Sequence, residues 1–228
     1  MSPITTQNNW SLRKEIFDYL VGQIENGQLK PGAFINVRQL TEELNVSRTP
    51  LREALAQMEV QGLVTIMPQR GVLINVLTYD DLLDLFEIIG ALESQAVMTV
   101  FDRISNAKIN AMERCNRKMF KAIEKGKNRE FHETNIHLHK IFLDLSPNRE
   151  LTIYVGNLKL RLFGFALKSY RDRFKRAIVE EHDVFLKLLK AGEGKAASDY
   201  LKDVHWKFNH PDNFIRPDTV NNGKPGNN

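Results

Sequence analysis

Several kinds of residue and segment are scarce or missing in this chain of 228 residues. Cys115 is its single cysteine, so no disulfide can form within the chain. No apolar run approaches the roughly 20 residues that a membrane-spanning helix needs. Residues 1–9 are polar and lack the apolar segment of a signal peptide. These absences predict a cytoplasmic protein that has no membrane partner.

Proline is also scarce in the second part of the chain, where Pro147 is the only one between Thr78 and Asn209. Apolar residues recur there at helical spacing, which predicts helices over roughly 79–102, 105–126, 129–145, 148–169, 171–191 and 194–209. We therefore expect an all-α bundle over residues 78–210. Residues 211–228 are rich in Asn, Pro, Gly and Asp, and we expect a disordered tail there.

The segment between Asn45 and Gly62 has the pattern of a short capped helix. Ser47 is a favoured N-cap residue, Pro50 suits a first turn, and Gly62 is a C-terminal signal. Its expected apolar face consists of Leu51, Ala54, Leu55 and Met58. Arg48, Thr49 and Arg52 share a neighbouring face, and arginines at the start of a helix suit the major groove of DNA. An ordinary amphipathic surface helix would show the same pattern.

The flanking segments favour the DNA-binding interpretation. Helices are predicted over 10–25 and 37–44, and β-rich runs follow over 62–66 and 72–76. Pro68-Gln69-Arg70-Gly71 joins these runs and predicts a hairpin turn. Three helices followed by a two-stranded wing make a winged helix-turn-helix, which we place at residues 1–77. The predicted fold is therefore mainly α, with this domain in front of the helical bundle.

Three segments of this first domain resemble one family in order and spacing. Residues 27–32 (GQLKPG), 46–55 (VSRTPLREAL) and 62–64 (GLV) are similar to the N-terminal domain of the GntR family of bacterial transcription regulators. The resemblance covers residues 10–76. It implies contacts with double-stranded DNA through the helices and the wing. The residues assigned to these contacts are Arg38, Ser47, Arg48, Thr49, Arg52, Gln69, Arg70 and Gly71.

The charge of the first domain bears on how it would bind DNA. Residues 1–76 contain seven basic and seven acidic side chains, although the whole chain carries +4. A positive DNA-binding surface must therefore come from the positions of the basic residues and not from an excess of them. Affinity would depend on a homodimer, which doubles the phosphate contacts on a pseudo-palindromic operator, and it should fall steeply with salt.

The helical part resembles a second family pattern. Asn135-x-x-Leu138-His139, then Asn148, then residues 180–182 (EEH) and 204–205 (VH) are similar to the FCD effector domain of the FadR/VanR-like subfamily. In metal-binding members an Asp and three His converge inside the bundle. The resemblance implies that the ligands in this chain would be Asn135, His139, His182 and His205.

The residues themselves are compatible with such a site. Asn135 and His139 are four apart, so they lie on one helical face, while His182 and His205 flank apolar stripes. Imidazole suits divalent transition metals, of which zinc and nickel are the leading candidates, and three such ligands leave positions for water or an effector carboxylate. A histidine with only hydrogen-bond partners is the alternative for each. The other histidines, of which His132 is a fallback ligand, are expected at the surface: His132, His137 and His210.

Two positions depart from the family pattern. Asn135 stands where an Asp is usual, which removes one negative charge and should lower metal affinity or leave the site empty. Ile89 stands where an Arg usually precedes Glu93 by four residues. If that Arg receives an effector carboxylate, this chain must use another group or bind another class of ligand. Arg161 is the first candidate for such a group, and Lys159 is the second.

The leading hypothesis is a dimeric transcription regulator, expected to be a repressor and not an enzyme. A small-molecule effector, such as an organic acid held on a bound divalent metal, would change its affinity for the operator. Two alternatives stay open: a DNA-binding dimer whose bundle carries no ligand, and a metallohydrolase. Against the hydrolase, no carboxylate is placed in a motif as general base.

Overall fold

The structure is a computed structural model, and it describes residues 9–25 and 27–207. By their contacts the residues form two units. The first comprises the chain up to Thr78 together with Asn157–Phe165, and the second comprises Tyr79–Gly156 and the residues from Ala166 onward. The sequence did not indicate that a later segment belongs to the first unit. The expected tail at 211–228 lies outside the described residues, as does His210.

The first unit is a winged helix-turn-helix. Its helices are α1 (Asn9–Glu25), α2 (Val37–Leu44) and α3 (Arg48–Val60), and its strands are β1 (Phe34–Ile35), β2 (Val64–Met67) and β3 (Gly71–Ile74). The sheet is antiparallel with the order β1-β3-β2. The predicted helices and hairpin are confirmed, whereas the short strand β1 was not predicted.

Helix α3 is fixed in this unit by its apolar face. The four predicted face residues, Leu51, Ala54, Leu55 and Met58, are fully buried, and they belong to one core with α1 and the sheet. Ser47 takes the extended backbone of an N-cap, but within the described residues its side chain makes no capping hydrogen bond. Gly62 follows the helix with φ at 71°, a left-handed conformation that only glycine adopts readily.

The second unit consists mostly of helices. These are α4 (Tyr79–Val100), α5 (Asn106–Glu124), α6 (Asn128–Leu143), α8 (Asp172–Lys190) and α9 (Gly194–Tyr200), with a 3-10 turn at Phe101–Arg103. Helix α7 (Arg149–Ser169) is divided, because its residues Asn157–Phe165 belong to the first unit and its two ends to the second. The predicted helices agree to within a few residues except at the end of the last one. There the backbone leaves α geometry and forms a π-helical segment, Leu201–His205. None of the described helices is long and apolar enough to cross a membrane.

Candidate metal centre and DNA-binding surface

The arginines assigned to DNA lie on exposed parts of the first unit. Arg48, Thr49 and Arg52 are exposed along the start of α3, and Gln69 and Arg70 are exposed at the turn between β2 and β3. In this turn the Arg70 amide donates to the carbonyl of Met67 at 3.1 Å. Two separate cationic elements, a helix and a hairpin tip, are therefore available in one compact unit.

Arg38 and Gly71 have local contacts that bear on their assigned roles. Arg38 Nε lies 3.2 Å from Glu42 Oε1, and the arginine side chain is 81 % exposed, so this pair contributes little and can be replaced by a phosphate contact. Gly71 has φ at 105°, and a Cβ there would lie 3.1 Å from the Ile35 carbonyl. Gly71 therefore shapes the wing turn.

A carboxylate at the end of α3 holds the wing. Glu59 Oε1 accepts a hydrogen bond from the backbone amide of Ile66 at 2.7 Å. Because β2 is an edge strand, this bond satisfies an amide that has no neighbouring strand on that side. Asn75 adds a second link, since its Nδ2 donates to the Gly62 carbonyl at 3.0 Å. Neither contact was predicted from the sequence.

Three imidazoles meet inside the second unit. His139 comes from α6, His182 from α8 and His205 from the π-helical segment, and all three are buried. One nitrogen from each ring lies within 4.8 Å of one nitrogen of each of the others. His139 Nε2 and His182 Nε2 are 3.1 Å apart. The structure therefore brings together all three histidines of the predicted ligand set.

Each ring is oriented by a partner at its other nitrogen. The pairs are His139 Nδ1 with Glu93 Oε2 at 2.7 Å, His205 Nδ1 with Glu181 Oε2 at 2.9 Å, and His182 Nδ1 with Asn116 Oδ1 at 3.1 Å. A carboxylate accepts hydrogen bonds, so the rings of His139 and His205 donate from Nδ1. This leaves the Nε2 side of these two rings for the centre of the cluster, the arrangement common in metal-binding histidines.

The amide of Asn116 fixes the proton on the third ring. Its Nδ2 donates to the Val179 carbonyl at 2.9 Å and to Asp183 Oδ1 at 2.8 Å. With its NH₂ group committed to these two acceptors, Asn116 presents its oxygen to His182. His182 therefore carries hydrogen on Nδ1 and directs the lone pair of Nε2 at His139.

The short contact between two Nε2 atoms has a chemical consequence. Two nitrogens that both present lone pairs at 3.1 Å repel each other, unless a positive centre lies between them. Either a proton on His139 or a metal ion provides that centre. Nitrogens bound to one zinc at about 2.0–2.1 Å lie about 2.8–3.4 Å apart at bond angles of about 90–110°. The contact is thus compatible with two ligands of one ion.

Asn135 adds an oxygen to the same region of α6. It lies one turn before His139 on the same face, and its side chain is half-buried. Among the described residues Asn135 Oδ1 is buried and has no hydrogen-bond partner. A buried amide oxygen without a partner is costly, and a divalent ion accepts such an oxygen as a ligand. The donor set therefore fits a metal.

The other predicted residues lie elsewhere. Ile89 is fully buried one turn before Glu93 on α4. Arg161 belongs to the first unit, where a Cβ on Gly62 would lie 3.0 Å from its Nε. Lys159 belongs to that unit too and is buried. Its role and that of Arg161 as effector ligands stay predictions.

The expectation that His132 faces solvent was wrong. It is buried, and its ring makes edge contacts with Phe131 and Tyr170 at centroid distances of 5.0 and 5.3 Å. These aromatic neighbours surround the imidazole with apolar groups and keep it from solvent. His137 is exposed, as expected.

Two residues of the centre were missed at the sequence level. Asn116 lies within the apolar stripe of α5, and a lone amide in such a stripe was the available signal. The stripe consists of Ile109, Met112, Met119 and Ile123. Trp206 donates its indole N–H to Glu93 Oε2 at 2.7 Å, so one carboxylate oxygen serves both this indole and His139. No pattern in the sequence indicated that contact.

Comparison with known proteins assigns both parts of the chain to families. Residues 12–74 match the family described as "Bacterial regulatory proteins, gntR family", and residues 84–204 match the FCD domain. The second match covers more than half of the chain. It contains three of the four predicted metal ligands, while His205 follows its last residue.

Individual relatives agree with these matches. The chain is 29 % identical over 198 residues to an uncharacterized HTH-type transcriptional regulator of Bacillus subtilis (strain 168), YdhC, covering 86 % of this chain and 87 % of the relative. It is 24 % identical over 196 residues to the gluconate operon transcriptional repressor of Bacillus licheniformis, covering 82 % and 77 %. The solved structure of E. coli McbR/YncC shares the fold, with a TM-score of 0.72 at 22 % identity over 85 % of this chain and 93 % of that one.

These relatives are transcriptional regulators and not enzymes, which contradicts the metallohydrolase alternative. The first match lies within the winged helix-turn-helix, and the second lies within the helical part of the chain. The chain therefore belongs to the GntR family of bacterial regulatory proteins, as a DNA-binding transcription regulator with an FCD effector domain.

Proposed function

We propose that this regulator is a homodimeric repressor whose affinity for its operator is controlled by a small molecule bound at a divalent metal in the FCD domain. The observation that carries the proposal is the imidazole cluster. Three buried rings from separate segments converge, and each has its Nδ1 held by a hydrogen-bond acceptor.

On the DNA side, we assign base and backbone contacts to the exposed face of α3 and to the wing. Arg48, Thr49 and Arg52 would enter the major groove, and Arg70 at the wing tip would approach the minor groove. The head has no excess of positive charge, so a single copy offers few phosphate contacts. Pairing of two copies on a pseudo-palindromic operator supports the affinity that a repressor needs.

In the FCD domain, we assign the metal to His139, His182, His205 and Asn135. When bound, the metal would supply a positive centre that attracts an anionic group such as a carboxylate. These four donors are all neutral, so they do not offset the charge of a divalent ion. Glu93 and Glu181 provide negative charge behind two of the rings, which supports retention of the ion despite the replacement of the usual Asp.

The donor set also bears on metal identity. Three imidazole nitrogens and one amide oxygen suit zinc and nickel better than magnesium or calcium, which prefer sets of oxygen ligands. The neutral oxygen of Asn135 binds every divalent ion more weakly than a carboxylate would. We therefore expect zinc or nickel to bind measurably at this site, but weakly enough that one ion can be replaced by another.

Regulation would follow from a shift between two arrangements of the dimer. An effector changes the affinity for operator only if it binds one arrangement more tightly than the other. A carboxylate effector on the metal provides such a difference when its remaining atoms contact residues that move. The gluconate operon repressor among the relatives supports the repressor assignment.

A second candidate is a DNA-binding dimer whose FCD domain holds no metal. The 3.1 Å contact between His139 Nε2 and His182 Nε2 supports it equally, because a proton on His139 would make it a hydrogen bond. In that case Glu93 would balance the charge of the protonated ring.

Metal binding separates the two candidates. Purified protein would be analysed for metal content and titrated with zinc and nickel, alongside His182→Ala and the exposed control His137→Ala from α6. Our proposal expects tight binding that His182→Ala abolishes and His137→Ala retains. A wild-type protein that binds no more metal than His182→Ala would refute the metal site and favour the second candidate.

The DNA assignment is tested separately. Arg52→Ala should weaken specific operator binding by about 1–3 kcal/mol in a salt-controlled anisotropy titration. Lys14→Ala removes an exposed cation from α1 and is the matched control. Equal operator affinity in Arg52→Ala and wild type would refute the assignment of α3 as the recognition helix.

A further inference from the structure

The π-helical segment determines which side chain of the last helix points inward. The Trp206 amide donates to the Leu201 carbonyl at 2.9 Å, a step of five residues that widens this turn. The regular spacing of Ala197, Leu201 and Val204 would place Val204 inward and leave His205 at the edge. Instead Val204 is 38 % exposed and His205 is buried. The extra residue in the turn thus gives His205 the inward position.

Trp206 anchors this segment on α4 through three contacts. Its indole N–H donates to Glu93 Oε2 at 2.7 Å, and its ring meets the ring of Phe86 edge-on at a centroid distance of 5.3 Å. The third is the close approach of Trp206 to Gly90, which is possible because glycine has no side chain. A Cβ added at Gly90 would lie 2.7 Å from the Trp206 Cβ. Trp206 is itself buried, so the anchor is part of the core.

The same carboxylate oxygen orients one of the imidazoles. Glu93 Oε2 accepts from His139 Nδ1 as well as from Trp206 Nε1. The Trp206 ring also lies 5.6 Å from the ring of His139 and 5.3 Å from that of His205, measured between centroids. The indole is therefore in contact with two rings of the cluster and bonded to the group that orients one of them.

We propose that Trp206 is a positioning residue for the metal centre, which holds His205 in the ligand position by anchoring the π-helical segment on α4. This inference rests on the proposed metal site and names a residue outside its ligands. If the anchor is lost, the last turn can return to α geometry, which turns His205 toward the edge. Trp206 then acts on the metal through His205.

The first test compares metal affinities by competition titration with zinc. Trp206→Phe keeps an aromatic ring but lacks the N–H, and we expect a loss of about 10–100-fold in affinity. Gly90→Ala pushes the same ring off α4 without removing any polar group, and it should cause a loss in the same direction. Trp10→Phe replaces the other tryptophan, in α1, and should bind zinc as wild type does.

The second test asks whether the effect passes through His205. In a His205→Ala background, Trp206→Phe should cause no further loss of zinc affinity. An equal loss in both backgrounds would overturn the proposal, as would wild-type affinity in both Trp206→Phe and Gly90→Ala. A wild-type protein that binds no zinc would refute the proposed metal site itself. A wild-type protein that binds zinc with the same affinity as the variants would refute only the role of Trp206.

A third measurement avoids any variant of Trp206. In the Trp10→Phe protein Trp206 is the sole tryptophan. Saturating zinc should change its emission, because ligation of His139 and His205 alters the groups against the indole. Unchanged emission at a zinc concentration that fills the site would contradict the coupling.

Discussion

Asn116→Ala is the most informative single change in the FCD domain. Asn116 accepts from His182 Nδ1 and donates to Val179 and Asp183, so the substitution removes three hydrogen bonds at once. Asp183 is exposed and can bond to water instead. His182 is completely buried, so removing the acceptor of its Nδ1–H costs about 1–3 kcal/mol.

The same change should weaken the metal site. Once Asn116 no longer holds the proton on Nδ1, His182 can carry it on Nε2, the nitrogen that would bind the ion. Loss of such an orienting partner typically costs about 10–100-fold in metal affinity, or about 1.4–2.7 kcal/mol. Zinc titration and urea unfolding of the metal-free protein measure the two effects separately.

Asn110→Ala is the matched control, since Asn110 is exposed on the same helix. It should leave both zinc affinity and stability unchanged within about 0.5 kcal/mol. Wild-type zinc affinity in Asn116→Ala would refute the reasoning that this amide selects the metal-binding form of His182. An equal loss in Asn110→Ala would show that the effect is not specific to the contact.

Three further predictions concern the wing, Asn135 and Cys115. Glu59→Ala removes the acceptor of the Ile66 amide, so it should lower the stability of the wing by about 0.5–1.5 kcal/mol and speed hydrogen exchange of that amide. Glu59→Gln keeps an acceptor oxygen and should restore protection. Equal exchange rates in the two variants would contradict this link. Asn135→Asp should tighten zinc binding by about tenfold or more in a competition titration, because it adds a charged ligand, and weaker binding would exclude Asn135 as a ligand. Burial raises the pKa of the Cys115 thiol, so less thiolate is present at pH 8 than in the unfolded chain. Alkylation should therefore be slower in the native protein and speed up with rising pH, and a native rate equal to the unfolded rate would contradict it.

The sequence predicted most of the fold because most helices and turns are determined by local sequence patterns. Leu51, Ala54, Leu55 and Met58 define the buried face of α3 by spacing alone, and Gly62 ends that helix because it can take a positive φ. The helices from α4 to α8 followed from apolar periodicity and the scarcity of proline. Strand β1 was missed because two residues contain no period, and only pairing with Leu73 and Val72 makes them a strand.

The residues of the candidate metal centre were predicted in part. The spacing of Asn135 and His139 and the family resemblance indicated four candidates, and three of them converge in the structure. Their orienting partners could not be predicted in this way, because Asn116 lies 66 residues from His182 and Glu93 lies 46 residues from His139. Contacts at such separations depend on how the helices pack. The assigned DNA contacts stay predictions, although their exposed positions fit them.

The sequence by itself determined a winged head, a helical second domain and the histidines available to it, because helix periodicity, turn residues and motif spacing are local properties. Tertiary structure alone decided which nitrogen of each imidazole faces the cluster and that His205, not Val204, turns inward. The reason is physical: the tautomer and direction of a ring are set by the acceptors around it, and here these come from α4, α5 and α8. The contacts of Trp206 with Glu93 and Gly90 on α4, directly after the π turn, likewise arise only from the packing of distant segments.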